Sequence, residues 1–100
     1  MEPFLGSEDL LIDMAELFKV FGDSTRIKIL CCLFDGEMFV QELADRVGAS
    51  QSAISHQLRL LKQAKLVKNR RQGKLVGSSL ADDHGKTILG MAKEHLEEEP

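Results

Sequence analysis

Three features of this 100-residue sequence predict a mainly α domain that carries one small β-hairpin. Apolar residues recur at helical spacing through most of the chain. A stretch between residues 66 and 80 alternates instead, and Gly, Asp-Gly or Asp-Asp punctuation separates the pieces. With 43% hydrophobic and 29% charged residues the chain has globular rather than disordered chemistry, and its length suits a single domain spanning 1–100. The apolar content is modest and holds five Phe but no Trp or Tyr, so a core shared with a second copy is expected.

The first helix is predicted over residues 8 to about 21, where Leu10, Leu11, Met14, Leu17, Phe18 and Phe21 repeat at helical spacing. Gly22 ends it, and Asp23 is a good N-cap for a second helix. In that helix Ile27, Leu30, Cys31 and Phe34 are read as one apolar side, closed by Asp35-Gly36. Glu37-Met38-Phe39 is a short extended entry to a third helix over about 40–47, whose stripe is Val40, Leu43, Ala44 and Val47. Gly48-Ala49 turns the chain and Ser50 caps a fourth helix over about 51–63, buried through Ile54, Leu58 and Leu61. Leu66 to Arg70 alternates like a strand, Arg71-Gln72-Gly73-Lys74 is read as a turn, and Leu75 to Leu80 as the return strand. Asp82-Asp83 caps a last helix running to about Glu98.

Two short helices joined by a tight Gly turn over about 40–63, the second one polar and basic outside, describe a helix-turn-helix. The hairpin over about 66–80 is then a wing. In the fourth helix Ser52, Ser55, Arg59 and Lys62 are spaced 3, 4 and 3, on the face opposite Ile54, Leu58 and Leu61. Gln51 and His56 flank that stripe near the helix start, where base edges are usually reached, although for His56 a plain exposed position fits equally well. Arg59 and Lys62, with Arg70, Arg71, Gln72 and Lys74 of the wing, suit phosphates.

Charge segregation supports a DNA partner despite the net charge of −3. Residues 1–45 carry −7 and residues 82–100 carry −4, whereas residues 46–81 hold eight basic side chains and no acidic one. A local basic footprint governs phosphate contact more than the overall charge does.

The run Val40-Gln-Glu-Leu-Ala, then Ser50-Gln-Ser-Ala-Ile-Ser-His-Gln-Leu-Arg-Leu-Leu61 and Leu66-Val-Lys-Asn-Arg-Arg-Gln-Gly73, resembles the ArsR/SmtB winged-helix repressors. Gly22-Asp-Ser-Thr-Arg-Ile-Lys-Ile-Leu30 resembles the opening of that family's second helix. The resemblance implies a homodimer whose first and last helices form the interface, and repression of an operator that ends when an inducer binds. It departs at Gly77-Ser78, where family members usually carry aromatic residues in the returning strand; a weakened strand is expected there.

His84, Ile88, Met91, His95 and Glu98 are spaced 4, 3, 4 and 3, the a/d seam of a helix packed along another helix. His84 and His95 share a face but lie roughly 16 Å apart along the axis, at ~1.5 Å per residue, too far to bind one ion within a chain. Two copies packed antiparallel about Gly90 bring Asp82 and His84 of one against His95 and Glu98 of the other, with no side chain at the crossing. Two imidazoles and two carboxylates suit tetrahedral Zn²⁺, with Co²⁺ as a substitute. This layout matches the C-terminal-helix site between subunits in zinc sensors of the resembled family, with Asp82, His84, His95 and Glu98 at its four positions.

Two rival readings have their own residues. Vicinal Cys31 and Cys32 could sense redox state or persulfide, although placing Cys31 on the apolar stripe favours core packing. The thiolates that bind soft metals at the third helix in arsenic, cadmium and lead sensors of the resembled family have no counterpart in Met38-Phe39-Val40-Gln41. The acidic last helix could alternatively dock a protein partner. No nucleophile–base pair or phosphate loop points to an enzyme. The longest apolar run, Ile29 to Phe34, spans six residues, which argues against a membrane helix. Glu2, Glu8, Asp9 and Asp13 stand where a secretory signal would be basic, and adjacent cysteines make no disulfide framework, so a cytoplasmic protein is expected.

Overall fold

A computed structural model describes residues 6–98. Helix α1 (Glu8–Phe21) starts where the Ser7 hydroxyl accepts the Leu10 N–H at 3.1 Å, with Glu8 and Asp9 complementing the helix dipole. Helix α2 (Ser24–Cys32) starts on Asp23, whose carboxylate accepts the Arg26 N–H at 3.0 Å, and it tightens into a 3₁₀ turn over Leu33–Asp35. The buried face of α2 differs from the expected one. Ile29, Leu30 and Leu33 enter the core, and Cys31 is exposed rather than packed within it. Cys32, half-buried, is the cysteine that packs against the core. The chain is apolar without a break from Ile29 to Phe34, so periodicity alone does not choose a face there.

Strand β1 (Met38–Phe39) leads into α3 (Val40–Val47), where the Glu42 carboxylate accepts the Phe39 N–H at 2.9 Å. Gly48 closes α3 in a left-handed conformation, φ 79°, and its N–H reaches the Ala44 carbonyl at 2.9 Å. Ser50 then opens α4 (Gln51–Gln63), its hydroxyl accepting the Ala53 N–H at 3.1 Å. Leu43 and Ala44 of α3 meet Ile54, Leu58 and Leu61 of α4 and Ile29, Leu30 and Leu33 in one core. Each large aliphatic side chain fully buried in this way contributes about 1.5–3 kcal/mol.

Lys65 ends α4 in a left-handed conformation, φ 62°. The Leu66 N–H bonds to the Leu61 carbonyl and the Lys65 N–H to the Lys62 carbonyl, each at 3.0 Å, which is a Schellman closure. It sets Leu66 and Leu61 side by side in the core and aims the chain into the wing. Strands β2 (Val67–Gln72) and β3 (Leu75–Leu80) pair antiparallel, Arg71 opposite Val76 and Gln72 opposite Leu75. The turn is therefore narrower than the sequence predicts. Only Gly73 and Lys74 form it, with Gly73 at φ 63° as a two-residue hairpin requires.

The sheet also has three strands, in the order β1-β3-β2, rather than a bare hairpin. Gly77 and Ser78 consequently lie in its central strand and are buried. Ser78 is 2% exposed and its hydroxyl donates to Asn69 Oδ1 at 3.1 Å, so pairing on both sides supplies what small side chains do not.

Helix α5 (His84–Glu97) follows. Its N-cap is Asp83, whose side chain makes no cap bond; the carboxylate of the preceding Asp82 accepts the His84 N–H at 2.9 Å instead. Gly85 is buried and Ile88 and Leu89 pack against the core, but every residue from Gly90 to Glu98 is exposed. The radius of gyration is 15.2 Å, against about 13 Å for a compact chain of this length.

Candidate nucleic-acid interface and sensor helix

The core that buries Ile54, Leu58 and Leu61 fixes which side of α4 faces out. Gln51, Ser52, Ser55, His56, Arg59 and Lys62 are all exposed on it, as are Arg70, Arg71, Gln72 and Lys74 of the wing. Ser52 Oγ lies 3.2 Å from Ser50 Oγ, so part of its hydrogen-bonding capacity is tied to the helix cap. A groove between α4 and the wing is lined by Ser55, Arg59, Lys62, Asn69 and Val76. A second, where Gln51 and Lys74 approach α3, carries the carboxylates of Glu42 and Asp45. Basic side chains thus line the first groove without an acidic neighbour.

Among the described residues, Arg70 is the one basic side chain of the block 46–81 with a carboxylate within 4 Å. Its Nε and Nη2 donate to Glu37 Oε2 and Oε1 at 3.0 and 2.8 Å. That bidentate hydrogen bond, with the charge behind it, holds the Glu37 carboxyl below the usual carboxylate range and raises Arg70 further. Glu37 was not singled out by the sequence, and neither was Arg26. The Arg26 Nε donates to Gln57 Oε1 of α4 at 2.7 Å, and its Nη1 donates to the Val20 carbonyl at the end of α1 at 3.3 Å. One guanidinium therefore joins the first helix to the recognition helix. The partners lie 31 and 33 residues away, and no local pattern announces them.

The four residues that the sequence offers as metal ligands lie at the two ends of α5. Asp82 Oδ2 is 3.2 Å from His84 Nδ1 at the start of the helix. His95 and Glu98 stand exposed at its far end, and the helix between is unbroken. Among the described residues no three potential ligands gather within the single chain, as the axial separation requires. Space around Gly90 is open, with nothing within 4 Å of where a Cβ would stand. At Cys31, partial desolvation and then the neighbouring Cys32 raise the thiol above its usual value, which lowers its thiolate fraction and its reactivity.

A five-helix body with a helix-turn-helix, a winged sheet and an exposed basic recognition helix defines a DNA-binding transcriptional regulator. The comparisons with known proteins are specific. Residues 23–69 match the family model described as bacterial regulatory protein, arsR family. The chain is 39% identical over 98 residues to the transcriptional repressor SmtB homolog of Synechocystis sp., covering 98% of this chain and 74% of that protein. It is 41% identical over 88 residues to the cadmium resistance transcriptional regulatory protein CadC homolog of Staphylococcus aureus, covering 87% and 73%. The homodimeric winged helix-turn-helix DNA-binding domain from Mycobacterium bovis superposes with a TM-score of 0.81 at 29% identity, over 92% of this chain and 89% of that one. The chain belongs to the ArsR family of bacterial regulatory proteins. Its fold and relatives are those of DNA-binding regulators, not of enzymes. Among the described residues no helix is long and apolar enough to cross a membrane.

Proposed function

We propose that this protein is a homodimeric transcriptional repressor that leaves its operator when Zn²⁺, or Co²⁺ in its place, binds between the α5 helices of the dimer. The observation that carries the reading is α5 itself: continuous, exposed beyond Gly90, with Asp82 and His84 in contact at one end and His95 and Glu98 at the other. Exposed apolar side chains on the same two helices favour the dimer. Leu10, Ile12 and Phe18 of α1 and Met91 and Leu96 of α5 are open, Leu96 to 81%. Lone surface apolar residues need no partner, but five large ones on the two terminal helices are more than solvent exposure favours. The homodimeric neighbour supports the dimer, and the relative named for cadmium resistance supports a response to a metal.

In this reading Asp82 and His84 of one copy and His95 and Glu98 of the second would hold the ion; two nitrogen and two oxygen donors fit a tetrahedral dication. The ion supplies a cross-link between protomers. Gln51, Ser52, Ser55 and His56 reach base edges, while Arg59, Lys62, Arg71, Gln72 and Lys74 meet phosphates. Two recognition helices must sit about one DNA turn apart, roughly 34 Å, to enter successive major grooves. Arg26 ties α1 to Gln57 on α4, so a change in how the terminal helices pair is carried directly to the recognition helix. For release, the ion must favour the dimer geometry that fits DNA poorly, and by linkage DNA must weaken the ion's binding by the same factor.

Titration of Co²⁺ into the metal-free protein tests the site. An intense tetrahedral visible spectrum is expected, saturating at one ion per protomer, displaced by Zn²⁺ and lost in His95→Ala. That variant should keep its metal-free DNA affinity and lose the metal response. Absence of the spectrum, or collapse of DNA binding in His95→Ala, contradicts the assignment.

A further inference from the structure

The Glu37–Arg70 ion pair crosses the sheet over a residue that has no side chain. Arg70 on β2 faces Gly77 on β3, which faces Phe39 on β1. Strand alternation puts Glu37, Phe39, Gly77 and Arg70 on one face of the sheet, and Asn69, Val76 and Ser78 on the face toward α4. A Cβ at Gly77 would stand 2.7 Å from Cγ of Glu37 and overlap its carboxyl carbon. Any other residue there would push the glutamate off the sheet. The glutamate in turn is 25% exposed and covers Gly77, while Arg70 is 63% exposed.

We propose that Glu37 and Arg70 are a positioning pair, a clamp across Gly77 that fixes the wing on the start of α3 and so presents Arg71 and Lys74 to DNA. Arg70 then acts through the wing rather than as a phosphate contact. Its charge is already matched by a bidentate carboxylate, in the geometry that orients a guanidinium most firmly. Arg71, the next residue, lies on the opposite face of β2 and is exposed without a carboxylate within 4 Å among the described residues. The clamp also accounts for the small residue at 77, since an aromatic side chain there and a carboxylate bridge exclude each other.

The inference rests on the DNA-binding reading, and the experiment separates the two. Affinity for a labelled DNA duplex of mixed sequence is measured at low salt for the intact protein, Glu37→Ala, Arg70→Gln, their double variant and Gly77→Ala, with thermal unfolding as the check on folding. Glu37→Ala removes a negative charge beside DNA, yet binding should weaken, by about two- to fivefold for an exposed pair. The double variant should be no weaker than Arg70→Gln alone. Gly77→Ala changes no charge and should weaken binding by the same factor, and should add nothing in the Glu37→Ala background, where the obstruction is gone. Tighter binding by Glu37→Ala, with the salt slope rising by about one unit, would make Arg70 a phosphate contact that Glu37 restrains, and would overturn the clamp. An intact protein that binds no duplex would overturn both readings.

Discussion

The helix-turn-helix and the terminal helices are built from similar apolar residues, and the protomer treats them in opposite ways. Ile54, Leu58 and Leu61 of α4 disappear into a core supplied by α2 and α3. Phe18 of α1 and Leu96 of α5, which are as hydrophobic, remain 58% and 81% exposed. The first region is closed by its own chain and holds a rigid reading surface outward. The second is left open, and in the proposed dimer what closes it would decide where two such surfaces stand relative to each other. A regulator needs both: a part whose shape does not change, and a part whose partner can alter the geometry between copies.

Substitutions in the two regions should therefore fail differently. Ile54→Ala should have the largest effect, lowering the unfolding free energy by about 2–5 kcal/mol in a denaturant titration because the cavity lies in the shared core. Phe18→Asp should leave the helix-turn-helix folded and instead cost about 2 kcal/mol or more of dimerisation, read by sedimentation as a shift to monomer. A Phe18→Asp protein that stayed dimeric would remove α1 from the interface. Arg71→Ala should weaken binding to every sequence and lower the salt slope by about one unit, with stability unchanged. Lys65→Gly should act least and in the opposite direction. Relief of the left-handed strain at φ 62° should raise stability by about 0.5–1 kcal/mol in thermal melts.

The same contrast marks what the sequence makes legible. Helix limits are set by local chemistry: Ser7, Asp23 and Ser50 each cap through a side-chain oxygen, and Gly48 turns left-handed where a turn is read. The stripe of α4 is unambiguous because polar and apolar residues alternate cleanly around it. In α2 the apolar residues surround the helix, so spacing alone puts Cys31 inside, whereas the packing of Ile29 and Leu33 leaves it exposed. The third strand, the Glu37–Arg70 bridge and the Arg26–Gln57 bond depend on register and on contacts across more than thirty residues. Gly77 reads as a weak point in the sequence for the same reason; the Glu37 side chain that lies over it is a contact only the fold creates. The seam of the four proposed ligands is legible as a spacing because α5 runs unbroken over His84–Glu97. How two copies would meet along it in the proposed dimer is a property of the pair.

That pairing can be tested by complementation. His84→Ala and His95→Ala proteins are prepared separately, mixed, allowed to exchange subunits, and titrated with Co²⁺. If each ion is held by residue 84 of one copy and residue 95 of the other, neither homodimer has an intact site. The mixture regains one intact site in each heterodimer, giving about a quarter of the wild-type tetrahedral absorption when protomers exchange at random. Absorption that stays absent after exchange, or that is already full in either parent protein, would contradict an ion shared across the dimer.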